Sequence, residues 1–232
     1  MAPPNQRGTE VSVLGLGTWP RGGAMGQMDD KTAMTVTRAA IDHGINLIDT
    51  ARIYLESERR FGKALKDGYR DRCFLATKVM DDYTPAVINA TLETSLRELD
   101  VDYVDLYPVH QPDPNFPFDE TIEVMERLRE AGKTRYIGMS NYHVDHMQQA
   151  WKGAPFHTCQ PRYSLFYRPV EYDVIPYCEK NRSVCLFTVR SQRGCSLRDT
   201  KRAINLHRTT SALNCDGSRE RHSHAILLLP TN

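Results

Sequence analysis

The sequence predicts an α/β chain folded as a (β/α)8 barrel, incomplete at about seven of the eight strands such a barrel needs. Three observations predict it. From residue 29 onward, amphipathic helical stretches alternate with short apolar runs, the signature of repeated βα units. Those runs are brief and bounded by turns, which suits buried parallel strands better than hairpins. The glycines of LGLGTWPRGG (14–23) do not make the G-x-G-x-x-G spacing, and no helix follows them at once, so a doubly wound dinucleotide-binding sheet is the runner-up.

The elements follow in order. A first strand is expected at 11–16. A helix over 29–44 places Ala33, Val36, Ala40 and Ile41 on one face and ends at Gly44, a residue suited to the left-handed C-cap. INLID (45–49) and CFLATKV (73–79) are the next strands. A helix over 84–100 opens with Thr84 as N-cap and Pro85 at its first position, with Val87, Leu92, Leu96 and Leu99 near helical spacing. Strand YVDLYPV (103–109) precedes a helix over 117–133 that carries Ile122, Met125 and Leu128 and stops at Gly132. Strands TRYIGMS (134–140) and HTCQPRYS (157–164) come next, and YCEKNRSVCLF (177–187) supplies a helix end and the seventh strand.

Of the 232 residues 25% are charged and 40% hydrophobic, with a net charge of +1, as expected of one soluble globular domain. That balance gives no reason to expect a nucleic-acid or acidic-membrane partner. The charge is uneven: residues 190–232 hold eight Lys or Arg against three acids, +5, which leaves −4 for the remainder of the +1 total. MAPPNQRGTE lacks the basic start and apolar stretch of a secretory signal, and no run approaches bilayer length; a cytoplasmic protein is expected. Six cysteines are scattered without a C-x-x-C pair, so free thiols are expected and neither a zinc site nor a disulfide framework is signalled.

Asp49, Lys78 and His110 end three successive predicted strands, and in a barrel the strand C-termini face the site built by the βα loops. Asp49 and Lys78 can pair there. A cation near Tyr54 favours its phenolate, and an opposite charge within about 4–6 Å moves a pKa by roughly one to three units. A phenol starting near about 10 could then give or take a proton around neutrality, as carbonyl reduction requires. Trp19, just past the first strand, is placed to wall a substrate pocket.

The stretches LGLGTWPRGG, GINLIDTARIY, FLATKV, SLRELDVDYVDLYPVHQPDP, LREAGKTRYIGMSNY and QPRYSLF resemble those of the aldo-keto reductases, over residues 11 to about 182. The resemblance implies a catalytic tetrad of Asp49, Tyr54, Lys78 and His110. It also implies a nicotinamide cofactor, usually NADPH, its carboxamide held by Ser140, Asn141 and Gln160, and no metal. Tyr54 would protonate a small aldehyde or ketone as hydride arrives, Lys78 oriented by Asp49 would lower the phenol's pKa, and His110 would orient the carbonyl.

Two departures stand out. The family commonly reads YGxSE after the tyrosine, where this chain has Tyr54-Leu55-Glu56-Ser57-Glu58; glycine tolerates a positive φ that leucine resists. The chain also divides into barrel units (1–184) and a divergent tail (185–232) with no YSP-type motif and no convincing eighth helix. The bases fixed by VCLFTVRSQRG permit a neighbouring frame reading AYSPFAAKG across 185–194, which resembles the family's continuation; a shift of reading frame near 183–185 is therefore the expectation for this tail. A catalytically silent nucleotide-binding or regulatory relative, or a non-functional truncated product, is the alternative to an enzyme. Oligomeric state and the particular carbonyl are not legible.

Overall fold

Short strands rich in β-branched and aromatic residues can bury both faces only if helices cover one and the sheet closes on the other, and the chain does this. The computed structural model describes residues 9–19, 28–80, 82–164 and 167–188, with the backbone of 212–213 and 225–229. After a two-residue strand β1 (Thr9–Glu10), the barrel strands are β2 (Leu14–Gly17), β3 (Leu47–Asp49), β4 (Phe74–Ala76), β5 (Val104–Val109), β6 (Thr134–Ser140), β7 (Thr158–Gln160) and β8 (Val184–Thr188). These are the seven expected strands, each within or close to its expected run.

The eighth stave is β10 (Ala225–Leu229), which pairs in parallel with both β8 and β2 and closes the ring. In the sequence, Leu227–Leu229 after Ala225-Ile226 offers a makeshift final strand but is only a short apolar run. With it in place, β2 and β8 pair on both sides. A further short strand, β9 (Ala212–Leu213), pairs antiparallel with β1 outside the barrel. The sheet of the barrel is closed, and among the described residues no helix follows β8.

The outer layer consists of α1 (Asp30–Asp42), α2 (Ser57–Ala64), α3 (Pro85–Leu99), α4 (Phe118–Glu130), α5 (Val144–Gly153) and α6 (Val174–Asn181). Helix α1 starts where the Asp29 carboxylate accepts the Thr32 N–H at 2.6 Å, satisfying one orphan donor of its first turn. It ends before Gly44, which takes the left-handed conformation (φ 88°). Two helix faces are corrected by one position: α1 buries Thr37 where Val36 was expected, and α3 buries Ile88 where Val87 was expected. Val36 and Val87 lie at the flank of each buried stripe, where a pattern of apolar letters cannot tell centre from edge. Ile122, Met125 and Leu128 of α4 are buried as expected.

Strand alternation separates two cores. Outward residues Ile48, Leu75, Tyr107, Val109, Ile137 and Cys159 join the helices in the larger cluster. Inward residues Leu47, Phe74, Ala76, Leu106 and Leu186 form a smaller cluster inside the barrel. The inner column is tightly filled: a Cβ on inward Gly138 would lie 2.1 Å from Thr158 Oγ1. Two residues further along three of these inward columns stand Asp49, Lys78 and, by the same period, His110 above Leu106 and Pro108.

Candidate active site

Inward alternation carries Asp49, Lys78 and His110 past the packed interior to the strand C-terminal rim, where a polar group is shielded from solvent without meeting another packed layer. The backbone ladder continues beyond the strands to hold them: Thr18 N–H donates to Asp49 O at 3.0 Å, Thr50 N–H to Ala76 O at 2.9 Å, and Thr77 N–H to Leu106 O at 3.1 Å. His110 N–H donates to Val79 O at 2.9 Å. Three neighbouring strand ends are thereby fixed to one another.

Lys78 and Asp49 are buried, and the ammonium donates to Asp49 Oδ1 at 2.5 Å and to Thr50 O at 2.9 Å. Burial alone would lower the lysine's pKa, but Asp49 and the Tyr54 hydroxyl outweigh it, so Lys78 lies above its ordinary value and is cationic. The Tyr54 ring centroid is 5.5 Å from Lys78 Nζ. His110 meets the same ring edge-on, with centroids 5.7 Å apart and planes at 78°. The four residues expected to act together are therefore brought together.

His110 is neutral. Desolvation, and secondarily the Lys78 charge, push its pKa down to about 3, and its buried Nδ1 has no hydrogen-bond partner among the described residues. An unprotonated imidazole facing the site can orient a carbonyl without competing for the proton. A testable consequence follows for stability. The unfolded histidine titrates near 6.5 and the folded one near 3, so between these values the unfolded state binds more protons and folding weakens as pH falls. The contribution is intact above about pH 6.5 and is lost as pH falls to about 3. Thermal unfolding between pH 7 and 3 should show a shallower acid decline for His110→Phe than for the parent chain.

Ser140 and Gln160 are register partners at the ends of β6 and β7, both buried, with Ser140 Oγ donating to Gln160 Oε1 at 3.2 Å. Gln160 Nε2 reaches Asp49 Oδ2 at 3.5 Å, the limit of a hydrogen bond. Asn141 is exposed, in the left-handed region (φ 62°), and its Nδ2 donates to His110 O at 3.0 Å. A carboxamide presents two donors and an acceptor, and a hydroxyl beside two amides supplies both complements. The residues present thus fit a nicotinamide carboxamide. Trp19 stands at the end of β2 with 40% of its surface exposed. Among the described residues no group of three or more His, Cys, Asp or Glu is arranged to hold a metal ion, and no helix is long and apolar enough to cross a membrane.

Leu55 occupies the position of the anticipated glycine and does adopt positive φ, 50°, with its side chain largely in solvent at 62% exposure. The bend is kept and the leucine bears its cost. Left-handed backbone costs an L-residue about 1–2 kcal/mol, partly offset in glycine by greater freedom when unfolded. Leu55→Gly should therefore stabilise the chain by up to about 1 kcal/mol in denaturant unfolding.

Sequence reasoning missed a second set of residues behind the tetrad. Thr18, Thr50, Thr77, Ser57 and Glu58 are all fully buried, Ser57 hydrogen-bonded to Thr18 and Thr50 and Glu58 to Thr77. A signal was present: the strand segments GLG, LID and FLA are each followed directly by a threonine.

Fold and site together define a (β/α)8-barrel protein with an acid–base cluster at the C-terminal rim of its strands. The chain belongs to the Aldo/keto reductase family, whose description matches residues 13–212. It is 46% identical over 192 residues to the aldo-keto reductase YhdN of Bacillus subtilis, covering 77% of this chain and 58% of that protein. It is 39% identical to the methylglyoxal reductase YeaE of Escherichia coli, covering 74% of this chain and 61% of that one. Among solved structures it resembles an aldo-keto reductase from Klebsiella pneumoniae in complex with NADPH, at 28% identity and TM-score 0.75, covering 95% and 81% of the two chains. The chain thus spans about three fifths of the length of these two curated relatives.

Proposed function

We propose that this chain reduces a small aldehyde or ketone with NADPH, with Tyr54 as the proton donor. The observation that carries the reading is the buried Lys78–Asp49 pair set against the Tyr54 ring. NADPH, when bound, supplies the hydride, and Ser140, Asn141 and Gln160 would hold its carboxamide. Lys78, kept cationic by Asp49, stabilises the phenolate that develops as Tyr54 gives its proton to the carbonyl oxygen. His110, neutral across the physiological range, orients that oxygen by hydrogen bonding. Exposed Trp19 beyond β2, and exposed Ile53 and Leu55 on either side of the tyrosine in the chain, would suit an apolar substituent on the carbonyl carbon.

The relatives point the same way: YeaE is named for methylglyoxal reduction, and the Klebsiella structure contains NADPH. The test is titration of the 232-residue chain with NADPH, following quenching of tyrosine and tryptophan fluorescence, then a screen of aldehydes and ketones by NADPH oxidation. Saturable micromolar binding with turnover of at least one carbonyl is expected. A folded chain that binds no NADPH would sink the cofactor assignment, and binding without turnover would favour a silent nucleotide-binding relative.

A further inference from the structure

We propose that Ser57 and Glu58, at the start of α2, are positioning residues that clamp the Tyr54 loop to the strand ends carrying Asp49 and Lys78. The proposal rests on the reading of Tyr54 as proton donor. Both side chains are fully buried, and each reaches the threonines that follow the strands. Thr50 Oγ1 and Ser57 Oγ are 3.0 Å apart, and Ser57 Oγ donates to Thr18 Oγ1 at 2.6 Å. Since each hydroxyl has one proton, the chain runs Thr50 to Ser57 to Thr18. Glu58 Oε1 accepts from Thr77 Oγ1 at 2.6 Å, and Oε2 pairs with Arg52 Nη1 at 2.6 Å. Two adjacent residues of one helix turn thus hold the ends of β2, β3 and β4.

The same turn fixes the tyrosine. Tyr54 N–H donates to Ala51 O, and Tyr54 O accepts from Ser57 N–H, both at 2.9 Å. Arg52 lies two residues before the tyrosine, and its own N–H meets Lys78 O at 3.4 Å. Thr77 is the residue immediately before Lys78. One buried carboxylate therefore grips the loop of the proton donor on one oxygen and the strand end of its activating lysine on the other.

A carboxylate is a costly way to fill a core position, since an apolar side chain of similar volume often serves stability as well or better. It does what an apolar residue cannot, because two directional hydrogen bonds to different elements fix their relative placement. Glutamine could accept from Thr77 but would turn an amide toward the Arg52 guanidinium, so Glu58→Gln releases the loop while leaving the strand contact. Thr77→Val releases the strand contact while keeping the volume.

The experiment reads the Tyr54 phenol itself, by ultraviolet difference titration of each protein against its own Tyr54→Phe counterpart, alongside steady-state kinetics. Glu58→Gln should move the Tyr54 ionisation upward, toward that of free tyrosine, by about half a unit or more as the tyrosine loop slips from its place beside the lysine. Its kcat should fall about tenfold with KM within twofold, and the basic limb of the kcat profile should move in the same direction. Thr77→Val should shift the titration in the same sense and less far, and it decides the matter should Glu58→Gln fail to fold. A Tyr54 titration superimposable on the parent's in a folded variant overturns the proposal and leaves Glu58 a structural buttress, whatever its melting temperature. Because the titration needs no turnover, a chain that reduces no carbonyl would refute the proton-donor reading while the clamp is still read from the phenol.

Discussion

Tyr54→Phe should lower carbonyl turnover by about a hundredfold to ten-thousandfold, the range a positioned acid typically contributes, while NADPH affinity stays within about twofold. The ring is retained, so its edge-on contact with His110 and its place beside Lys78 survive. Only the hydroxyl is lost, and with it the proton that the proposed reduction would deliver to the carbonyl oxygen. Cofactor contacts are expected at Ser140, Asn141 and Gln160, which come from β6 and β7 and the turn beyond β6 and not from the β3 loop that carries the tyrosine. Fluorescence titration and initial rates, measured on the same preparation, separate the two effects. Turnover equal to the parent's would remove Tyr54 from the chemistry.

Lys78→Met should fail in two ways at once. Methionine fills much the same volume but leaves the Asp49 carboxylate buried with Gln160 Nε2, at 3.5 Å, as its remaining polar neighbour among those seen. Breaking a buried ion pair by removing one partner typically costs about 3–5 kcal/mol, enough to be plain in a denaturant melt. Removing both charges, as in the double variant Asp49→Asn with Lys78→Met, should restore much of that stability. It should not restore turnover, because the cation beside Tyr54 remains absent. A double variant no more stable than Lys78→Met would show that the pair does not account for the loss. The pH dependence has a definite sign: Lys78 is raised above its ordinary 10.5, so its contribution is fully present below about that pH and fades as pH rises through the folded value. On the alkaline side, the difference in stability between parent and Lys78→Met should therefore persist through the neutral range and shrink in strong alkali.

Helix existence and strand order were readable because each leaves a periodic trace: the 3.6-residue stripe of α4, the Pro85 start of α3, the Gly44 and Gly132 stops. Helix faces were less so, as Val36 and Val87 show, because the letters do not say where the centre of a stripe lies. The closing strand Ala225–Leu229 was hardest of all. Its partners are Leu14–Leu16 and Cys185–Thr188, distant in the chain, and an apolar run becomes a strand only when such edges await it.

By itself the sequence determined the repeated βα units and the family resemblance, and through that resemblance it named the four residues proposed as a tetrad, because these depend on local periodicity and on residue types at fixed spacing. It also held the reason Leu55 would be strained. Tertiary structure alone decided that Asp49, Lys78 and His110 rise on the inward face of three neighbouring strands, that Lys78 is buried yet cationic and His110 half-buried and neutral, and that Glu58 ties the tyrosine loop to β4. Those outcomes depend on which groups meet across the barrel and how far water is excluded there, and both are set by register and closure between segments that the chain keeps far apart.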